Sequence, residues 1–171
     1  MLANFGIGTL AMADLGAIER QLAVHDLNAR YVETIDEGRF EDWPDFFADD
    51  GIYRVTTAEN AEQGLPLSMI YATSRAMLRD RVRALREANV YEAQRYRHIL
   101  GPARITPAEQ GSVRAATSFM VARIMHTGET ALFATGRYLD RIVLAGAAAC
   151  FAEKSVILDS RQVDTLLAIP L

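Results

Sequence analysis

Three histidines and one cysteine are the residues of this chain most able to do chemistry. His25, His98 and His126 are far apart in the sequence, so they form no closely spaced ligand pair such as H-x-x-x-H. Cys150 lies in the apolar string ACFA, which indicates a buried thiol that packs as a small hydrophobe. A single cysteine also excludes an internal disulfide and a multi-thiolate metal site. The sequence therefore lacks the ligands of an iron–sulfur cluster, which takes four cysteines or two cysteines with two histidines.

His98 is the histidine best placed for acid–base chemistry, because it lies in a strand-like string, RYRHIL at 95–100. If it points inward and Asp36 or Asp49 approaches it, the pair can act as a general base. Tyr31 or Tyr53 can then polarise a carbonyl group. The alternative is that His98 makes buried hydrogen bonds that hold the sheet together, or that it faces another chain. No spacing in the sequence requires the catalytic arrangement.

Charged residues inside apolar strands are a second kind of candidate. Asp140 and Arg141 are adjacent in RYLDRIVL, and Glu153 and Lys154 are adjacent in FAEKSVILD. Because adjacent strand residues face opposite sides, one member of each pair points inward and the other outward. An outward charge beside apolar side chains suggests a subunit contact, and the alternative is an ordinary cross-strand ion pair. By position, the candidate contact residues are Arg95, Arg97, His98 and Asp140.

A third candidate is a row of arginines on a predicted helix, SRAMLRDRVRALREA at 74–88. Their spacings of four, four and three place them on one helical face. They form either a solvated charged surface or a cationic rim that docks on an acidic partner. The row consists of Arg75, Arg79, Arg83 and Arg86.

The elements that position these residues fall into two halves, with helical periodicity before residue 88 and strand alternation after it. A first helix is predicted from Asp14 to the glycine stop at Gly38. Its predicted inward stripe is widened by Val24, Tyr31 and Ile35, and the stripe itself contains Leu15, Ile18, Leu22, His25, Ala29 and Val32. Pro44 predicts a short second helix, and Ser74 caps the third, whose inward stripe is Leu78, Val82 and Leu85. The segment 51–57 is a predicted strand, and 60–67 a predicted loop.

Four long strand-like runs occupy the second half, at 95–105, 112–126, 130–144 and 147–159. Strands of this length must twist and coil, with Gly136 as a predicted bend point, and turns are expected at Gly128 and Gly146. The predicted fold class is α+β: a cone-shaped, curved antiparallel sheet with the N-terminal helices in its concave side. We expect residues 14–171 to form one domain and residues 1–13 a loose arm, with Met12 as an alternative start.

Composition narrows the class of protein further. The formal net charge is −4 and the sequence pI is about 5.4, which gives no electrostatic basis for nucleic-acid binding. No apolar run approaches the roughly 20 residues needed to cross a bilayer. The leading residues lack the basic segment and cleavage site of a signal peptide. We therefore expect a cytoplasmic protein that binds neither nucleic acid nor membrane.

Four long strings of unusual content resemble one protein family. They are WPDFFADDGIYRVTTAEN at 43–60, MLRDRVRALREANVYEAQRYRHILG at 77–101, FMVARIMHTGET at 119–130 and DTLLAIPL at 164–171. Through them the chain, from about Asp26 to Leu171, resembles the small (beta) subunits of Rieske-type aromatic-ring-hydroxylating dioxygenases. Within these it is most similar to the terephthalate dioxygenase and salicylate hydroxylase members.

That resemblance implies a fold, a partner and a role. The implied fold is the cone-shaped α+β barrel of the nuclear transport factor 2-like, cystatin-like class. The implied partner is a large (alpha) subunit that carries a Rieske 2Fe-2S cluster and a mononuclear non-haem iron, with three alpha and three beta chains in the assembly. The small subunit is then structural, holds no cofactor and self-associates as a trimer. The substrate is expected to be an aromatic carboxylate.

Two other functions stay open at this point. One is a stand-alone, metal-free dehydratase, isomerase or cyclase that uses a pair formed by His98 and an acid. The other is a small-ligand binding or dimerisation module on the same fold. The aromatic substrate, the regiochemistry and the filling of the cone interior cannot be read from the sequence.

Overall fold

Three helices and seven strands make up the fold in a computed structural model that describes residues 15–87, 92–109, 111–145, 148–161, 167 and 169–171. The helices are α1 (Leu15–Asp36), α2 (Ala58–Glu62) and α3 (Arg75–Glu87), with a 3-10 turn at Trp43–Phe46. The strands are β1 (Phe47–Thr57), β2 (Ile70–Ala72), β3 (Gln94–Leu100), β4 (Arg104–Pro107), β5 (Ser112–Met125), β6 (Thr130–Ala145) and β7 (Ala148–Leu158). The predicted loop at 60–67 is wrong in part, because α2 extends into it from a cap at Thr57.

The strands form one curved, unclosed sheet in the order β2-β1-β7-β6-β5-β3, with β4 paired to β5. Neighbouring long strands of the meander run antiparallel, as the sequence predicts. The pairing of β1 with β7 is parallel, so the sheet is mixed where the sequence predicts an antiparallel one. This pairing joins residues about a hundred positions apart, and alternation within a strand carries no signal for it.

The long strands bend at defined places. The register shifts between Val121 and Ala122 on β5, and between Arg141 and Ile142 near the end of β6. At Gly136 a Cβ atom would lie 2.1 Å from the Ile157 carbonyl oxygen, so only glycine allows β6 and β7 to approach this closely. The predicted turn at Gly128 is confirmed, with φ of 89°. Gly146 lies outside the described residues.

Helix α1 packs against β3, β6 and β7 on the concave side of the sheet. Its buried face contains Val24, Leu27, Tyr31 and Ile35. The predicted stripe through Ile18, Leu22, His25 and Ala29 is wrong, because these four residues are exposed. Among the members of that stripe whose burial is described, only Val32 reaches the core, whereas Val24, Tyr31 and Ile35, which were predicted to widen it, are buried as expected. Helical spacing fits both stripes, and the packed one is selected by its contacts with the sheet.

Helix α3 covers the β1–β2 end of the sheet, and its predicted inward stripe is confirmed because Leu78, Val82 and Leu85 are buried. The Ser74 hydroxyl caps this helix by accepting a hydrogen bond from the Met77 N–H at 3.3 Å. Trp43 lies inside, 5.0 Å from the Tyr53 ring centroid, and begins an aromatic cluster that fills the deep end of the cone. The other members of this aromatic cluster are Tyr31, Phe47, Tyr53, Tyr138 and Phe151.

Candidate functional site: two buried polar pairs and the outer face of the sheet

His98 and Asp36 form the first buried polar pair. Asp36 ends α1 and His98 lies on the inner face of β3, and the His98 Nδ1 atom is 2.6 Å from an Asp36 carboxylate oxygen. The other carboxylate oxygen accepts the His98 backbone N–H at 2.9 Å. The His98 side chain is 0% exposed and that of Asp36 is 3% exposed. One carboxylate thus holds both the ring and the backbone of the strand, which fixes α1 against β3.

A cavity of about 450 Å³ lies beside this pair, between α1 and the β3–β5 end of the sheet. Asn28 and Thr117 line it with His98, and the Asn28 amide donates to the Thr117 hydroxyl at 3.3 Å. The other ring nitrogen of His98, Nε2, finds no hydrogen-bond partner among the described residues. That nitrogen is shielded from solvent, although the cavity lies beside the ring.

The other residues of the predicted acid–base arrangement do not join it. Asp49 is exposed and forms an ion pair with Arg75 at 2.9 Å, so Asp36 is the acid that approaches the histidine. The Tyr31 and Tyr53 hydroxyls both donate to the Leu171 backbone oxygen, at 2.8 and 3.3 Å. Burial raises the pKa of Tyr53 to about 12 and also raises the pKa of Tyr31. Both phenols stay protonated and are engaged in holding Leu171.

Asp140 and Lys154 form the second buried pair, directly opposite each other on β6 and β7. Nζ of Lys154 donates to an Asp140 carboxylate oxygen at 3.0 Å, and both side chains are 0% exposed. The ammonium group also lies 3.7 Å from the Tyr138 ring centroid, 4.3 Å from that of Phe151 and 4.5 Å from that of Tyr31. A carboxylate and three aromatic faces therefore surround this lysine in the middle of the core.

Burial sets the protonation of this pair. It raises the pKa of Asp140 to about 6 and lowers the pKa of Lys154, while the attraction between the two charges opposes both shifts. The predicted division of the two charged dipeptides is confirmed: Asp140 and Lys154 point inward, whereas Arg141 and Glu153 point outward. The inward Asp140 therefore forms a cross-strand ion pair with Lys154 of its own chain.

The four predicted contact residues therefore separate into two groups. His98 and Asp140 are enclosed in the core, where they cannot reach a second chain, so the structure does not fit a contact role for them. Arg95 and Arg97 lie on the outer face of β3, and the Arg97 side chain is 70% exposed although its guanidinium group is 3.7 Å from an Asp36 carboxylate oxygen. A subunit contact through the two arginines stays a prediction.

Exposed apolar side chains surround these arginines on the outer face of β3, β5 and β6. Ile99 is directly opposite Met120, and both are exposed. Leu132 pairs with Ala122 in the row of Arg97, and Leu139 lies further along β6. We call Ile99, Met120, Leu132 and Leu139 the outer apolar surface. Exposed apolar residues beside arginine are typical of a protein–protein contact.

The arginine row of α3 has a different arrangement, because its members are paired within the chain. Arg75 contacts Asp49 and the Phe47 carbonyl, and Arg83 contacts Asp80 at 3.6 Å. Two longer-range pairs are Arg79 with Asp45 at 3.1 Å and Arg86 with Glu41 at 2.7 Å. This favours the interpretation of a solvated charged surface over that of a rim for an acidic partner.

Metal ligation within the chain is not supported by its donor set. No group of three or more histidine, cysteine or acidic side chains is arranged to hold a metal ion among the described residues. A Rieske cluster with a 2-His-1-carboxylate iron takes two cysteines and four histidines, and the sequence has one and three. The residues present do not fit these groups.

In the described ranges no helix has the length and apolar character needed to cross a bilayer.

The curved sheet, the helix in its concave side and the packed interior define a cone-shaped α+β protein of the nuclear transport factor 2-like class. A family profile described as "Ring hydroxylating beta subunit" matches residues 30–165. The chain belongs to this family of ring-hydroxylating beta subunits.

Three relatives give the detail of this assignment. The chain is 45% identical to the terephthalate 1,2-dioxygenase terminal oxygenase component subunit beta 1 of Comamonas sp., over 88% of this chain and 98% of that one. It is 35% identical to the anthranilate 1,2-dioxygenase small subunit of Burkholderia cepacia, over 86% and 92% of the two chains. A crystal structure of a beta subunit assigned to an aromatic-ring-hydroxylating dioxygenase of Novosphingobium aromaticivorans superposes with a TM-score of 0.83 at 39% identity, covering 91% and 99%.

A further group of candidate residues, which the sequence analysis did not recognise, lies on the outer face of the sheet. Arg54, Arg104 and Arg114 line a depression of about 450 Å³ with Arg141. Their side chains come from four strands, so no local spacing connects them. The outward position of Arg141 could be read from its strand, but its neighbours follow only from the register.

Proposed function

We propose that this chain is the non-catalytic small subunit of a cytoplasmic aromatic-ring-hydroxylating dioxygenase and braces a large subunit that carries the Rieske cluster and the mononuclear iron. In this proposal three small and three large subunits assemble. The enzyme acts on an aromatic carboxylate. The observation that carries the proposal is 45% identity across 98% of a terephthalate dioxygenase beta subunit.

Two features of the chain support a structural role. Its donor set is too small for the two iron sites of the reaction, so the metal ligands have to come from another chain. The deep end of the cone is occupied by the aromatic cluster, the Asp140–Lys154 pair and the buried Leu171. A rigid sheet with an exposed outer face is suited to hold a partner in place, and cyclic symmetry would repeat that contact three times.

The substrate class rests on the relatives. The two curated relatives described above are named for terephthalate and anthranilate, and both compounds are aromatic carboxylates. The large subunit binds the arene in this proposal, so the small subunit carries no substrate contact of its own.

A stand-alone dehydratase or isomerase is the second candidate, and the 2.6 Å contact between His98 and Asp36 is the observation that favours it. The enclosure of the ring and the engagement of Tyr31 and Tyr53 by Leu171 argue against it. We therefore assign the pair to the stability of the α1–β3 contact.

Co-expression with the large subunit of the same organism tests the proposal. A tagged chain should retain the large subunit through size-exclusion chromatography, and the mixture should hydroxylate an aromatic carboxylate when a reductase supplies electrons. Arg97→Glu should reduce the retained large subunit, whereas Arg83→Glu on α3 should not. A wild-type chain that elutes alone in every preparation would sink the proposal.

A further inference from the structure

Four arginines from four different strands meet on the outer face of the sheet. Arg114 on β5 is directly opposite Arg141 on β6, and Arg104 on β4 is opposite Ala116 in the neighbouring row. That second row continues through Leu139 and Ser155 to Arg54 on β1. We call Arg54, Arg104, Arg114 and Arg141 the arginine cluster, and together they line the depression of about 450 Å³.

The cluster is poorly compensated by the chain itself. Within the described ranges no carboxylate forms an ion pair with Arg104, Arg114 or Arg141. Glu153 on β7 is directly opposite Arg141 and offsets part of the charge of the cluster, and its carboxylate also accepts a hydrogen bond from the Ser155 hydroxyl at 3.2 Å. Like charges directly opposite each other on a sheet are destabilising, so the Arg114–Arg141 pair works against the stability of the isolated chain. This contrasts with α3, where each arginine of the row has an acidic partner.

The surroundings of the cluster indicate a protein partner. Exposed Leu139 lies in the second row, between Arg104 and Arg54, on the same outer face as exposed Met120 and Ile99. Arginine mixed with apolar side chains is typical of protein interfaces, and the guanidinium group binds carboxylates with two parallel hydrogen bonds. The net charge of −4 on the whole chain opposes nucleic acid and anionic membranes.

Charge also decides against a second copy through the same face. A two-fold contact uses one patch twice and would place the clusters of the two copies against each other. A two-fold contact through this patch is therefore disfavoured, and the cluster fits a surface of opposite charge.

We propose that the arginine cluster is the docking surface for an acidic segment of the large oxygenase subunit, with carboxylates on the guanidinium groups and an apolar side chain on Leu139. The inference rests on the proposed function, because it assigns a surface to the partner named there. The inference adds that the contact with the large subunit is electrostatic at the arginine cluster and apolar at Ile99 and Met120.

Charge reversal of the two opposed arginines tests this surface. The chain carrying Arg114→Glu and Arg141→Glu is titrated with the separately purified large subunit, beside the wild type and a matched control carrying Arg79→Glu and Arg83→Glu. We expect the Kd of the cluster variant to rise at least tenfold and that of the control to stay within threefold. The wild-type Kd should rise as salt increases, and the cluster variant should lose most of that dependence.

The outcomes separate this inference from the proposed function. If the wild type does not bind the large subunit, the proposed function fails. If the wild type binds and the cluster variant binds equally well, or the control is weakened as much as the cluster variant, the docking assignment alone is overturned. Loss of self-association with unchanged binding of the large subunit also overturns it, since the cluster would then contact a second copy. Thermal unfolding of each variant by circular dichroism confirms that the compared chains are folded.

Discussion

Replacement of the buried Asp140–Lys154 pair tests the account of the interior. Asp140→Leu keeps the branched shape of the side chain and leaves Lys154 without its carboxylate, whereas Lys154→Met leaves the carboxylate without its ammonium. Both side chains are fully enclosed, so each single variant creates a buried charge with no counter-ion. Breaking such a pair costs about 3 to 5 kcal/mol, a large part of a typical folding free energy of about 5 to 15 kcal/mol.

The residues around the pair change the expected stability cost of each single variant. Three aromatic faces within 4.5 Å of the lysine Nζ offset part of its loss, so Asp140→Leu should cost about 3 kcal/mol, at the lower end of the range. The cost of Lys154→Met should be smaller at pH 5 than at pH 8, because a carboxylic acid that is protonated carries no buried charge. The double variant replaces both charges by apolar groups of similar size and should be as stable as the wild type or more stable.

Urea unfolding followed by tryptophan fluorescence measures all four proteins. Trp43 is the single tryptophan of the sequence and is fully buried, so its emission reports the loss of the core. We expect a coupling free energy between the two positions of about 3 kcal/mol or more in the double-mutant cycle. Additive effects of the two single changes would refute the ion pair as a coupled unit.

Three further predictions concern the pH dependence set by Asp140 and the roles of His98 and Gly136. Burial raises the pKa of Asp140 from 3.8 to about 6, so between pH 4 and pH 6 the folded state binds more protons at this residue than the unfolded state does. The contribution of Asp140 to the free energy of unfolding should therefore fall as the pH rises from 4 to 6. The urea midpoint of the wild type should fall over this range, and that of Asp140→Leu should lack this fall. His98→Ala should cost about 2 to 3 kcal/mol of stability, because the contact of the ring with Asp36 is lost. Ring hydroxylation by the assembled complex at low temperature should stay within twofold of the wild-type rate. Lost turnover in a stable variant would instead indicate that His98 takes part in catalysis. Gly136→Ala should cost about 2 kcal/mol or more of stability, because the added Cβ atom would overlap the Ile157 carbonyl group. Gly101→Ala is the matched control: the nearest atom to its added Cβ is 3.6 Å away, so the melting temperature should stay nearly unchanged.

The local features of this fold could be predicted from the sequence because they depend on neighbouring residues. Alternation separated His98 from Arg95 and Arg97 onto opposite faces of β3, but it could not tell which face points inward. The same rule separated Asp140 from Arg141, but it could not tell which member points inward. That choice depends on Lys154, which lies directly opposite Asp140 on the next strand, and on the aromatic rings around both.

Features that join distant segments could not be predicted. The parallel pairing of β1 with β7 and the meeting of four arginines on one surface both require the register of the sheet. The packed face of α1 was misjudged for a similar reason: Leu22 continues an apolar spacing but has no sheet beneath it, whereas Leu27 does. The approach of Asp36 to His98 was one of two alternatives, and helix length decides between them by placing Asp36 at the end of α1.

Native mass spectrometry of the reconstituted oxygenase, with iron analysis of the separated subunits, tests whether this chain is a structural subunit without iron of its own. We expect a mixed complex of this chain with the large subunit, all of the iron in the large subunit, and no turnover of an aromatic carboxylate by this chain alone. Iron bound to this chain, or turnover by this chain alone, would show instead that it is catalytic.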